Sequence, residues 1–136
     1  MERLFSAHQD VGNEFDFITE VRDALNSGIA VGPHMLLASV VDGDGEESLG
    51  LARAASPAEA EMWVKKYHNA GFQQIKIYSS MKLENLRAVC RDAHSLGMTV
   101  TGHVPDGITA FEARQRRYGS DKSCLLYSEF VLSGGL

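Results

Sequence analysis

The chain is short of several things, and each shortage narrows what it can be. No run approaches the roughly 18 consecutive apolar residues that a membrane-spanning helix requires, so no membrane partner is expected. The start of the chain lacks a basic stretch followed by an apolar one, so no signal peptide is expected and the default compartment is cytoplasmic. Lys plus Arg number 13 against 18 Asp plus Glu, a formal net charge of -5. A nucleic-acid surface would need a basic excess, so no nucleic-acid partner is expected. There are two cysteines, Cys90 and Cys124, with no CxxC spacing. Cys90 falls on an apolar helical face and reads as a buried free thiol.

What remains is an ordinary globular composition, 44% hydrophobic and 23% charged over 136 residues, enough for one domain with a core. Apolar spacing predicts a helix from Phe15 to Ser27, with Phe17, Ile18, Val21, Ala24 and Leu25 on one face and Gly28 as its stop. Met35 to Val41 is an apolar run of strand length. Asp42 to Glu47 is an acidic, Gly-rich stretch that reads as a solvated loop. It lacks calcium-loop spacing, and Gly43 and Gly45 lack the third glycine of a dinucleotide loop. Ser56, Pro57 and Glu59 make a helix start with a capping box. That helix turns Ala60, Trp63, Val64 and Tyr67 inward and ends near Gly71. A strand over 72–78 follows. A helix over about 82–96 carries Leu83, Leu86, Val89, Cys90, Ala93 and Leu96, and a second strand covers 98–104. Ile108 to Ala113 opens another helix.

Alternating strands and helices with short connections mean parallel strands joined by right-handed crossovers. The two later strands are not apolar on both faces, as the central strands of an open doubly wound sheet would be. Ile75 and Ile77 share one face; Gln74, Lys76 and Tyr78 share the other. Met98, Val100 and Val104 oppose Thr99, Thr101 and His103. A polar strand face ending in Lys76 and His103 fits a barrel lumen with chemistry at the C-terminal mouth. About four strands are read, whereas a full (β/α)8 barrel takes about 250 residues. The expected fold is therefore α/β, a partial (β/α)8 TIM-type barrel. On spacing alone Lys76 also fits an ion-paired rim lysine, His103 a hydrogen-bonded polar residue, Thr101 ordinary lumen filling, and His94 helix packing. Tyr78, on the Lys76 face, is a weak substrate-contact candidate or a packing residue.

The segments Gly71-Phe72-Gln73-Gln74-Ile75-Lys76-Ile77-Tyr78 and Ala93 through Val104 resemble the amidohydrolase superfamily. Within it they are most similar to the imidazolonepropionase-like and Xaa-Pro dipeptidase-like branch. Asp10 to Glu14 resembles the loop after the family's second barrel strand, and Gly32-Pro33 with the apolar run after it resembles the third. The likeness covers roughly residues 9–113, about βα units 2 to 5, and is specific over 71–105. It implies a metal-dependent hydrolase acting on amide or cyclic C–N bonds of a small-molecule or dipeptide-like substrate. It implies a divalent metal, zinc foremost, with Lys76 as a carboxylated, metal-bridging lysine and His103 as a histidine ligand. The family's His-x-His pair is absent, no histidine follows His103, and the strand-eight Asp falls beyond the chain. Most ligands are therefore missing and no catalytic residue is assigned. The isolated chain is expected to be an inactive fragment. The rival reading is a non-catalytic α/β assembly or pseudo-enzyme module, and a half barrel's open sheet edges predict self-association. A flavodoxin-like fold is a third reading, weakened by the lack of a Gly-rich phosphate loop.

Residues 1–113 thus read as the partial barrel and 114–136 as a divergent tail. Arg114 to Cys124 departs from the family pattern. One permitted back-translation of that stretch, read one base later, spells a small-residue turn and a strand ending in an Asn-His pair, as the family has there. The tail reads as a frameshifted continuation.

Overall fold

The computed structural model describes residues 7–11, 14–46, 48, 52–107 and 124–127. The elements run β1 (Ala7–Val11), α1 (Phe15–Asn26), β2 (His34–Asp42), β3 (Ala52–Arg53), α2 (Pro57–Asn69), β4 (Gln74–Ile77), α3 (Leu83–Ser95), β5 (Thr99–His103) and β6 (Cys124–Tyr127). Every strand pairing is parallel. The main path through the sheet is β1-β2-β4-β5-β6, and the two-residue β3 pairs with β2. Apart from β3, neighbours in space are neighbours in sequence. A doubly wound sheet would instead reverse its order at a switch point. One-way winding is the arrangement of a (β/α) barrel, and the fold is α/β with successive βα units, as the strand faces implied.

The helices form where the spacing places them. Ser56 caps α2, its hydroxyl accepting from the Glu59 N–H at 3.3 Å, while Glu59 reaches back to accept from the Ala55 N–H at 2.9 Å. Gly71 follows the helix with φ +81°, a conformation that disfavours other residues. The core lies between these helices and one face of the sheet. Ile75, Ile77 and Val100 from the strands meet Val64 of α2 and Leu86 and Val89 of α3, all essentially inaccessible to solvent. Each such side chain contributes about 1.5–3 kcal/mol of burial. Cys90 is buried in the core at 2% exposure, as its helical position implied.

Several expectations need correction. Phe17 is 56% exposed, not part of the α1 stripe. Ile18 is the buried centre of that face, and Phe17 is rotated about 100° from it. Phe15 takes the inner role, stacking on Phe72 with ring centroids 5.7 Å apart and meeting Tyr67 edge-on at 5.6 Å. Six strands are described rather than about four. The two not anticipated are the two-residue β3 and β6 within the tail. Asp42 is not a solvated loop residue: it ends β2 and is 1% exposed. The expected helix from Ile108 and the basic cluster from Arg114 to Arg117 lie outside the described residues.

Candidate functional site at the C-terminal rim

Adjacent strands β4 and β5 bring the two predicted residues together. The register pairs Gln74 with Thr99, Ile75 with Val100, Lys76 with Thr101 and Ile77 with Gly102. Side chains alternate along a strand. Ile75, Ile77 and Val100 therefore turn to the helices, and Gln74, Lys76, Thr99, Thr101 and His103 share the opposite face. Gln74 donates from Nε2 to the Thr99 hydroxyl at 3.1 Å across that face. Lys76, Tyr78, Thr101 and His103 are all half-buried.

At the C-terminal end the geometry tightens. The Lys76 Nζ stands 4.9 Å from the centroid of the Tyr78 ring, within cation–π range. The Tyr78 ring lies 4.8 Å from the His103 imidazole, tilted 38°. Tyr78 is thus in contact with both residues. Just before His103, Gly102 has φ +142°, and a Cβ there would sit 2.1 Å from the Ile77 carbonyl oxygen. Only glycine lets β5 approach β4 this closely, and that approach sets His103 beside Tyr78.

Asp42 belongs to this rim and was missed from the sequence. Val40 pairs with Lys76, so two residues on, Asp42 falls on the same face at the strand end. Its Oδ1 accepts from the Gly43 N–H at 2.8 Å and from the Ser80 hydroxyl, just past Tyr78. The available signal was its phase in β2, two positions beyond Val40. Its acidic, glycine-rich neighbours hid it.

Among the described residues, no three His, Cys, Asp or Glu side chains lie together so as to hold an ion. A catalytic zinc typically needs three protein ligands and an open position. One imidazole and one amine, the amine over an aromatic ring, do not meet that need. His34, His68 and His94 add nothing to such a cluster. His34 starts β2 at its far end, while His68 and His94 lie in the last turns of α2 and α3. His8 is at the second residue of β1.

No family model matches the chain, and no curated protein matches it. Solved structures do match. A protein from Bifidobacterium longum described as a putative prolidase superposes with a TM-score of 0.64 at 24% identity, covering 81% of this chain and 29% of its own. The bottromycin amidohydrolase superposes with a TM-score of 0.69 at 23% identity, covering 80% and 25%. An uncharacterized protein superposes at 0.62 and 17% identity, covering 83% and 34%. The chain therefore spans only a quarter to a third of these proteins. The resemblance drawn from residues 71–105 is borne out at the level of the fold: this chain shares the βα architecture of part of each of these structures.

Proposed function

We propose that the chain is a fragment of a metal-dependent amidohydrolase whose complete form hydrolyses amide or cyclic C–N bonds with metal-activated water. The observation that supports this reading is the convergence of Lys76, Tyr78 and His103 on one face at the C-terminal ends of adjacent parallel strands. In this reading Lys76 and His103 descend from two ligands of a divalent metal, zinc foremost, with Lys76 carboxylated in the complete protein. Tyr78 would face the substrate, a small amide or a dipeptide-like molecule. A His-x-His pair and a histidine after His103 are absent from this sequence, so in this reading the chain has no turnover by itself. The span 1–113 is read as the barrel part, about units 2 to 5, and 114–136 as a frameshifted tail, although β6 within that tail adds a parallel strand beside β5.

A hydrolase assay on amide and dipeptide substrates, with added zinc and bicarbonate, tests the activity. No turnover is expected. Robust turnover that disappears in both Lys76→Ala and His103→Ala would overturn the inactive-fragment reading. Sequencing the coding DNA tests the tail: a shifted continuation restoring the missing histidine is expected downstream of Ala113, and its absence would sink the frameshift.

A second reading, a non-catalytic assembly module, draws on exposed apolar side chains. Leu36 is 38% exposed on β2, and Ile29 and Val31 project from the connection before it. Self-association is the expected behaviour, read by light scattering across a concentration series. A monomer at every concentration would remove this reading.

A further inference from the structure

The loop after β4 carries Tyr78, and it is gripped from both sides. On one side, Gly43 packs so closely that a Cβ there would stand 2.0 Å from the Ser80 carbonyl oxygen and 3.1 Å from the Met81 nitrogen. The buried Asp42 carboxylate takes the Gly43 N–H and the Ser80 hydroxyl on the same oxygen. Asp44 and Lys82 form an ion pair at 3.1 Å on the outside of the same junction. On the other side, the Asp106 N–H from the loop after β5 donates to the Ser79 carbonyl at 2.9 Å. Three successive rim loops are thus tied to one another through residues 79–82.

We propose that Asp42 is a positioning residue for this rim: its carboxylate latches the β2 and β4 loops together and so holds the Tyr78 ring between Lys76 and His103. The chemistry suits the task. A carboxylate oxygen accepts two bonds at once, and bonds to a charged acceptor are shorter and stronger than neutral ones. The glycine beside it removes the side chain that would keep the loops apart. Asp42 has no role at the reacting atoms in this account; it acts through Ser80 and the backbone that leads back to Tyr78. The functional meaning of the latch rests on the proposal that this rim is the site, whereas its geometry does not.

The test is therefore run on the metal-free chain, apart from any activity. Proton NMR reads the Tyr78 ring and His103 imidazole signals and the cross-peaks between them. Asp42→Ala is expected to shift both sets of signals and to weaken the cross-peaks. Asp42→Asn keeps an oxygen that accepts both bonds and is expected to restore them. Ser80→Ala removes a single donor and is expected to give a smaller change in the same direction. It serves as the test if Asp42→Ala does not fold. Gly43→Ala, which leaves Asp42 intact but forces the loops apart, is expected to reproduce the displacement. Unchanged Tyr78–His103 cross-peaks in folded Asp42→Ala or, if it does not fold, in Ser80→Ala would overturn the latch. That result would leave the hydrolase reading to its own assay.

Discussion

The two faces of β4 and β5 are built from the same strands and answer to different demands. On the helix side, Ile75, Ile77 and Val100 are sealed among Val64, Leu86 and Val89. On the other side, Lys76, Tyr78, Thr101 and His103 are half-buried and polar. The first face supplies the hydrophobic driving force that holds the βα units together. The second, with the loop just past β4, carries an amine, a phenol and an imidazole that a stable sheet does not need. Groups that break the local rules of a regular scaffold are what a functional or strained site would show.

The contrast can be broken where the faces are joined. Gly102→Ala should have the largest effect, since its Cβ would collide with the Ile77 backbone at a φ of +142°. A loss of about 4 kcal/mol or failure to fold is expected in chemical denaturation. Ile77→Ala, on the sealed face, should cost about 3 kcal/mol by the same measurement, through lost burial and a cavity. Lys76→Met and His103→Ala, on the polar face, should each stay within about 1 kcal/mol of the parent. Losses at Lys76 or His103 equal to that at Ile77 would erase the distinction between the faces.

Alkaline pH gives a further test on the sealed side. Burial pushes the Tyr67 phenol up from 10.0 to about 12. The folded state therefore retains a proton that the unfolded chain releases. Stability is full below pH about 10, falls as pH rises from about 10 to about 12, and then levels off with respect to this group. Denaturation midpoints across that window should fall less steeply in Tyr67→Phe. An identical slope in the variant would remove Tyr67 as the cause. The smallest effect belongs to the exposed Lys82–Asp44 pair, in which the Lys82 hydrogen bond holds the Asp44 carboxyl below its usual value. Lys82→Ala should leave the denaturation midpoint almost unmoved, and less moved still in high salt.

Much of this was legible because it is periodic. Alternation placed Lys76 and His103 on one face, since strand geometry fixes side-chain direction every second residue. The helical stripe of α3 and the Ser56 cap were legible for the same local reason. What escaped was long-range or short in extent. Asp42 meets Ser80 across 38 positions of sequence, and nothing near Asp42 announces that bond. Asn85 interrupts the apolar stripe of α3, yet it is buried and donates to the Ala54 carbonyl at 2.7 Å. The two residues of β3 are too few to show a period. Phe17 misled because an aromatic near the edge of a stripe satisfies the spacing without reaching the core. Gly102 was seen only as part of a motif; its close approach to Ile77 is a property of the pair of strands.

The central claim is that the polar rim is one part of a site, with its geometry kept and its ligand set incomplete. Zinc titration of the metal-free chain in bicarbonate buffer, followed by calorimetry, tests this most directly. No stoichiometric binding is expected, because Lys76 and His103 cannot by themselves complete a zinc site. Tight one-to-one binding, lost in both Lys76→Ala and His103→Ala, would contradict the claim and make this chain a metalloprotein in its own right.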